Sequence, residues 1–354
     1  MLQQRVLLIT FGVLAVAAAA FLVFVPNWTH PPIGAEQFAP GPSMVQFERG
    51  HMPEPVSQVA PPLLPRAAPA GRAAAAAYRN VQVLGDLDAN EFMRLQVAIT
   101  QWVSPSQGCS FCHAGEDYAS DAKPQKAAAR LMLQMVRHVN ADWTSHVGQA
   151  GVTCYTCHRG QPVPAEAWFP HTIRPLGGIV AKQDNWNEAA DNVRKFFPDA
   201  GWELYLLGNE PISVQSTTAL PSNTVSEQVV AKRVYEMMMQ MSDGIGVNCG
   251  YCHNSRALAD WAQSTPQRWV GQSGIDMTRE LNQHFLLKLA AAMPQSRERV
   301  VETTWPVLPA HETGPLPGNG LVLCATCHTA RPKPLGGAAT AASYPGLNAS
   351  EVKP

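Results

Sequence analysis

Eight cysteines and four histidines share one repeated arrangement: Cys109-Ser-Phe-Cys112-His113, Cys154-Tyr-Thr-Cys157-His158, Cys249-Gly-Tyr-Cys252-His253 and Cys324-Ala-Thr-Cys327-His328. No cysteine is left over. Cys-x-x-Cys-His is the pattern read as c-type haem attachment. The spacing suits that chemistry. Two thiols on one helical turn form thioethers to the two vinyl groups of one porphyrin, and the adjacent histidine lies under the iron as proximal ligand. Zinc is the weaker reading, because a four-thiolate site needs no histidine after the second cysteine at all four places. A disulfide framework is weaker still: pairing cysteines three apart would close four small, strained loops. The motifs therefore imply four covalently bound haem c groups. Cys109, Cys112, Cys154, Cys157, Cys249, Cys252, Cys324 and Cys327 are the thioether carriers, and His113, His158, His253 and His328 the proximal iron ligands.

The rest of the chain must position these groups. Its 354 residues suffice for two ordinary domains. Lys+Arg (26) and Asp+Glu (27) nearly cancel, and the net charge of −1 argues against nucleic-acid binding through a basic surface. An apolar content of 46% excludes a wholly disordered chain. Thirty prolines require much extended or looped backbone. With about 70 residues of chain per haem, each unit would be marginal without its cofactor serving as core.

Residues 1–25 read as a membrane anchor. Val6 to Val25 carries no charge and is long enough to span a bilayer. Arg5 before it orients the start towards the cytoplasm and the body outwards. Ala18-Ala19-Ala20 resembles a signal-peptide cleavage site, but the apolar run continues to Val25, which favours a retained anchor. The implied location is the inner membrane, with a single-pass helix and the haem body on the periplasmic side. Residues 26–77 hold 11 prolines and the alanines of Ala73–Ala77, the composition of an extended connector. It reads equally as a disordered tether or as a strap along a partner's surface, with Met44, Phe47 and Met52 as contact points.

From Tyr78 the chain looks duplicated. His158 and His328 are each followed by H-x-x-x-P-x-P, through Pro162 and Pro164 and through Pro332 and Pro334. The expected units are a first di-haem half over 78–200 and a second half with a C-terminal tail over 201–354. Apolar spacing predicts helices over Leu87–Ile99 with Asp88 or a neighbour as N-cap, Lys126–Val139, Ser226–Met241 and Thr278–Ala292. The predicted fold class is a mainly α multihaem cytochrome c, with two pseudo-symmetric di-haem halves, long loops and one N-terminal transmembrane helix.

The sixth iron ligand sets the potential, and Met/His ligation holds it above bis-His. Methionines cluster before three motifs: Met93 before Cys109, Met132 and Met135 before Cys154, and Met237, Met238, Met239 and Met241 before Cys249. Methionine more often fills irregular gaps in a core. Seven histidines lie outside the motifs, and His146 stands eight residues before Cys154.

Over most of residues 78–345 the chain closely resembles the tetrahaem cytochrome subunit of bacterial photosynthetic reaction centres. The resemblance rests on Tyr78-Arg-Asn-Val-Gln-Val-Leu-Gly85, Ala98-Ile-Thr-Gln-Trp-Val-Ser-Pro105, Gly151-Val-Thr-Cys-Tyr-Thr-Cys-His-Arg-Gly160, Ser242-Asp-Gly-Ile-Gly-Val-Asn-Cys249, Ser264-Thr-Pro-Gln-Arg268 and Lys333-Pro-Leu-Gly336. It implies Met132 as distal ligand of the second haem, Met238 of the third, and His146 of a bis-His fourth haem. Met277 is the rival there, sitting in the second half about where Met132 sits in the first. The first haem departs from the family, which has methionine where this chain has Gln96. Met93, one turn earlier, is the expected ligand, with Gln96, water or an open site as alternatives.

The resemblance also implies electron relay without bond chemistry. Electrons pass from a soluble cytochrome c or high-potential iron–sulfur protein, through the four haems, to the photo-oxidised bacteriochlorophyll pair held by reaction-centre membrane subunits. The third haem would be nearest the acceptor and the first most distal. A membrane-anchored tetrahaem quinol dehydrogenase and a multihaem reductase are the competing classes. The methionine clusters count against the first, and the second needs an open haem, for which the Gln96 site is the one place to look.

Overall fold

The computed structural model describes residues 57–168, 202–213, 227–292 and 320–348. Helices run in chain order α1 (Ala74–Ala77), α2 (Ala89–Val103), α3 (Pro124–Asp142), α4 (Thr144–Val147), α5 (Cys154–His158), α6 (Glu227–Ile245), α7 (Gln267–Glu280), α8 (Leu287–Ala292) and α9 (Cys324–His328). π-Helical stretches occupy Glu203–Leu207 and Leu281–Leu286. Among the described residues there is no sheet, only isolated bridges between Ala73 and Asp88, Ala114 and Asp117, and Trp168 and Leu321.

Local chemistry explains the helix ends. The Asp88 side chain accepts from the Asn90 N–H at the start of α2, as an N-cap should. It also accepts from the Ala70 and Gly71 N–H groups. These bonds, Ala70's first, hold its carboxyl below the usual range. α2 stops one residue before Ser104, which precedes Pro105 and is disfavoured in helical backbone. Pro124 opens α3 at a position where its missing N–H costs nothing. The helix expected over Thr278–Ala292 instead starts at Gln267 and runs through the π segment into α8. Its polar first turns, with Gly271 and Gly274, have low helix propensity, so packing rather than propensity secures them.

The expected transmembrane helix requires correction. Among the described residues no helix is long and apolar enough to cross a membrane. The two longest, α3 and α6, carry Lys126, Arg130 and Arg137, and Arg233, Glu236 and Asp243, charges that hydrocarbon does not tolerate. The run from Val6 to Val25 lies outside the described residues. The mainly helical class stands, but the transmembrane element, and the single-pass membrane location built on it, are not carried forward.

Two main cores hold the chain. One combines Val83, Leu84, Leu95, Ala98 and Trp102 with Leu133, Val136 and Cys154, and is completed by Tyr344 and Leu347 from the far C-terminal end. Trp102 meets Tyr344 edge to face at 4.9 Å, and the Arg94 guanidinium lies 4.2 Å from the Tyr344 ring centroid. The other core gathers Trp168, Trp202 and Leu204–Leu207 with Met237, Ile275, Leu286, Leu289 and Leu321. Met132 and Met135 of α3 and Met238 and Met241 of α6 pack against it.

The described part of the connector is a strap along the chain's own body. The Gln58 side chain donates to the Thr329 carbonyl and accepts from the Leu335 N–H. Arg94 donates to the Leu64 carbonyl, and Leu64 N–H to the Tyr344 hydroxyl. Met44, Phe47 and Met52 lie outside the described residues.

Two asparagines do the same work at corresponding places. Asn140 on α3 donates to the Val152 carbonyl (2.9 Å) and accepts from the Val152 N–H (2.6 Å), two residues before Cys154. Asn282 donates to the Val322 carbonyl (3.1 Å) and accepts from the Val322 N–H (2.9 Å), two residues before Cys324. Each amide also reaches a distant carbonyl, Leu347 for Asn140 and Leu206 for Asn282. Met135-Val-Arg-His-Val-Asn140 and Met277-Thr-Arg-Glu-Leu-Asn282 are therefore equivalent segments. This register sets Met277 against Met135, so the expected correspondence of Met277 with Met132 is shifted by one helical turn.

Two outcomes are expected. Asn282→Ala leaves the Val322 amide and the Leu206 carbonyl unpaired, at about 1–3 kcal/mol for each buried group; hydrogen exchange should report a selective loss of protection at Val322. Tyr344→Ala should lower stability by about 3–5 kcal/mol, as for other large aromatic truncations, read as a lower urea midpoint of the haem-loaded protein.

Candidate haem sites and family

The four attachment motifs adopt two backbone forms. Motifs one and three lie on short 3₁₀ turns, Gly108–Phe111 and Cys249–Tyr251. Motifs two and four are the five-residue helices α5 and α9. In both helices a threonine hydroxyl accepts the first free N–H: Thr156 from Thr153 at 3.0 Å, and Thr326 from Leu323 at 2.9 Å. Both end in a left-handed residue, Arg159 at φ 51° and Thr329 at φ 44°. The forms alternate along the chain, so motif one pairs with three and motif two with four.

Each proximal imidazole is oriented by the loop that follows it. Nδ1 of His113 bonds the Tyr118 carbonyl (3.1 Å), that of His158 the Gln161 carbonyl (2.9 Å), that of His253 the Leu258 carbonyl (2.9 Å) and that of His328 the Arg331 carbonyl (2.8 Å). A carbonyl only accepts, so Nδ1 carries the proton and Nε2 presents its lone pair, the arrangement of a metal-ligating histidine. Burial lowers the pKa of His113 and His158. Burial, and secondarily the nearby His146, pushes His328 down to about 4. For these three rings burial favours the neutral form, the one that ligates.

No disulfide joins the eight motif cysteines. Burial pushes the Cys154 and Cys324 thiols up to about 12. Among the described residues no group of three or more His, Cys, Asp or Glu side chains is arranged around a bare metal ion. The donor set, two thiols and one Nε2 per motif, fits a thioether-bound haem. α5 and α9 also pack together, with Cys157 and Cys327 sulfurs 2.6 Å apart. The Arg159 guanidinium, over Cys327 and Thr329, ties the two motifs further.

The distal candidates fall in distinct settings. Met132 and Met238 are half-buried on the core-facing sides of α3 and α6. Met93 is 46% exposed on α2, beside exposed Val97 and half-buried Gln96. His146, on α4, lies beside His328 from the other end of the chain, their ring centroids 6.0 Å apart. That gap is the size needed for one metal atom bonded to both rings at about 2 Å. His146 Nδ1 bonds the Val270 carbonyl at 2.9 Å, which again frees Nε2. Met277, the rival, is buried among Val139, Leu281 and Phe285. Of the other histidines, His138 sits between Asp142 and Glu280, and His284 is exposed. His30, His51, His171 and His311 lie outside the described residues.

Sequence reasoning missed the supports: Asn140, Asn282, Thr156, Thr326 and Gln58. The Met-x-Arg-x-x-Asn repeat carried a readable signal for the asparagines. Nothing marked Gln58, whose partners are more than 270 residues away.

The family profile described as photosynthetic reaction centre cytochrome C subunit matches residues 35–348. A photosynthetic reaction center cytochrome c subunit of Rubrivivax gelatinosus is 38% identical over 94% of this chain and 87% of that protein. Those of Thermochromatium tepidum and Roseobacter denitrificans are 38% and 33% identical, over 82% and 89% of this chain and 68% and 81% of theirs. With the motifs, the imidazole geometry and these likenesses together, the chain belongs to the family of photosynthetic reaction-centre cytochrome c subunits, and is an electron carrier rather than an enzyme.

Proposed function

We propose that this subunit carries four haem c groups and passes single electrons from a soluble cytochrome c or high-potential iron–sulfur protein to the photo-oxidised bacteriochlorophyll pair of reaction-centre subunits. The facing of His146 and His328, each with Nδ1 bonded to a carbonyl, is the observation that carries the reading. With a haem attached at Cys324 and Cys327, these two imidazoles would be the residues that hold its iron. When bound, each haem supplies a one-electron iron couple.

The chain's own residues do the rest. The eight motif cysteines hold the porphyrins, and His113, His158, His253 and His328 present Nε2 from one side. Met132 completes the second site, Met238 the third and His146 the fourth. A thioether holds potential above an imidazole, so the fourth site should be lower than the second and third. Met93 is assigned to the first site, where its exposed side chain lies on the face of α2 that also carries Gln96. The neighbouring sulfurs of Cys157 and Cys327 support an order in which the second and fourth sites adjoin; for the first site as outermost and the third as nearest the acceptor, the support is the family resemblance alone. The division into a first half over 78–200 and a second over 201–354 is supported by the alternating motif forms and the paired asparagines. The tail residues Tyr344 and Leu347 seat in the core of the first half, which ties the two together.

Flash excitation of the purified complex with reaction-centre proteins should oxidise haem within the lifetime of the photo-oxidised pair. No flash-induced haem oxidation, in a complex that still charge-separates, would end the reading. At the first site, Gln96→Ala should keep the native low-spin spectrum while Met93→Ala loses it. The reverse pattern would assign the amide instead.

A further inference from the structure

The second half lacks a methionine where the first half has Met132. With Asn140 and Asn282 in register, the residue eight positions before each is Met132 on α3 and Gly274 on α7. Gly274 is buried, and a Cβ built on it would run into His146 Cε1 and lie 2.8 Å from its Nδ1. No real side-chain carbon sits that close, so the imidazole occupies the volume a side chain at 274 would fill. The ring cannot simply retreat. Its Nδ1 is bonded to the Val270 carbonyl, one turn earlier on the same helix. Ser145 and Ser273 hydroxyls, 2.7 Å apart, fix α4 against α7.

We propose that Gly274 is the positioning residue that selects the ligand of the fourth haem: its missing side chain removes the local methionine and admits His146 from the other half. This rests on His146 being that ligand. A helix carrying methionine at this position supplies a thioether from within its own half, as Met132 is placed to do. A glycine opens a slot that only a neighbouring element can fill. One position thereby lowers one haem's potential relative to its counterpart, since bis-His lies below Met/His.

The test uses the full haem-loaded protein, low-temperature EPR and a redox titration. His146→Ala should remove one bis-imidazole low-spin signal of the four haems. Gly274→Ala should remove or shift that same signal and its midpoint, with all four haems still covalently attached. In the His146→Ala background, Gly274→Met should restore a six-coordinate low-spin centre with a midpoint above native. If His146→Ala changes no signal, the ligand assignment fails and this inference with it. If His146→Ala removes the signal but Gly274→Ala leaves spectrum and midpoint untouched, the role of Gly274 alone is overturned. Should Gly274→Ala fail to assemble, His146→Ala/Gly274→Ala decides, because deleting the ring must relieve the clash. A double variant that still fails overturns the proposal.

Discussion

The hydrogen bond from an imidazole Nδ1 to a backbone carbonyl is the constraint on which every site depends. It recurs at all four proximal histidines and again at His146. It chooses the tautomer, aims Nε2 and stops the ring from rotating. Each bond requires a particular loop path after the motif, which explains the left-handed Arg159 and Thr329. For a non-glycine residue that conformation is costly, so the surrounding contacts must hold it. Gln58 bonding to Thr329, and Arg159 bonding to Cys327, are such contacts.

The asparagine clamps serve the same end from the other side. Asn140 and Asn282 fix the backbone just before the second and fourth motifs, while the carbonyl bonds fix it just after. A five-residue helix has too few internal bonds to be stable alone. Held at both ends, it becomes a rigid mount. Rigid mounting suits electron transfer, which asks for fixed sites and little rearrangement rather than a moving active site.

Segments far apart in the chain interlock among the described residues. The C-terminal tail completes the core around Trp102. The strap around residues 58–72 runs from the fourth motif to the start of α2. α4 presents His146 to the fourth motif. Without the tail the core around Trp102 would be open, and without α4 the fourth motif would lose its contact with His146.

Attachment chemistry, electron-carrier class and the mainly helical character were all legible in the residues. Covalent haem binding needs only local spacing, two thiols and a histidine on adjacent turns, and local spacing is what a sequence displays directly. The N-cap at Asp88 and the helix following Pro124 were readable for the same reason. What the folded chain alone decided is non-local. The start of α7 at Gln267 is secured by packing that its weak propensity hides. The position matching Met132 is Gly274 rather than Met277, a register that the Met-x-Arg-x-x-Asn repeat hints at and that Asn140 and Asn282 fix by gripping equivalent loops. The seat of Tyr344 beside Trp102, and the meeting of His146 with His328, join residues whose separation along the chain leaves no periodic trace, because contact between distant segments is fixed by three-dimensional packing and not by spacing.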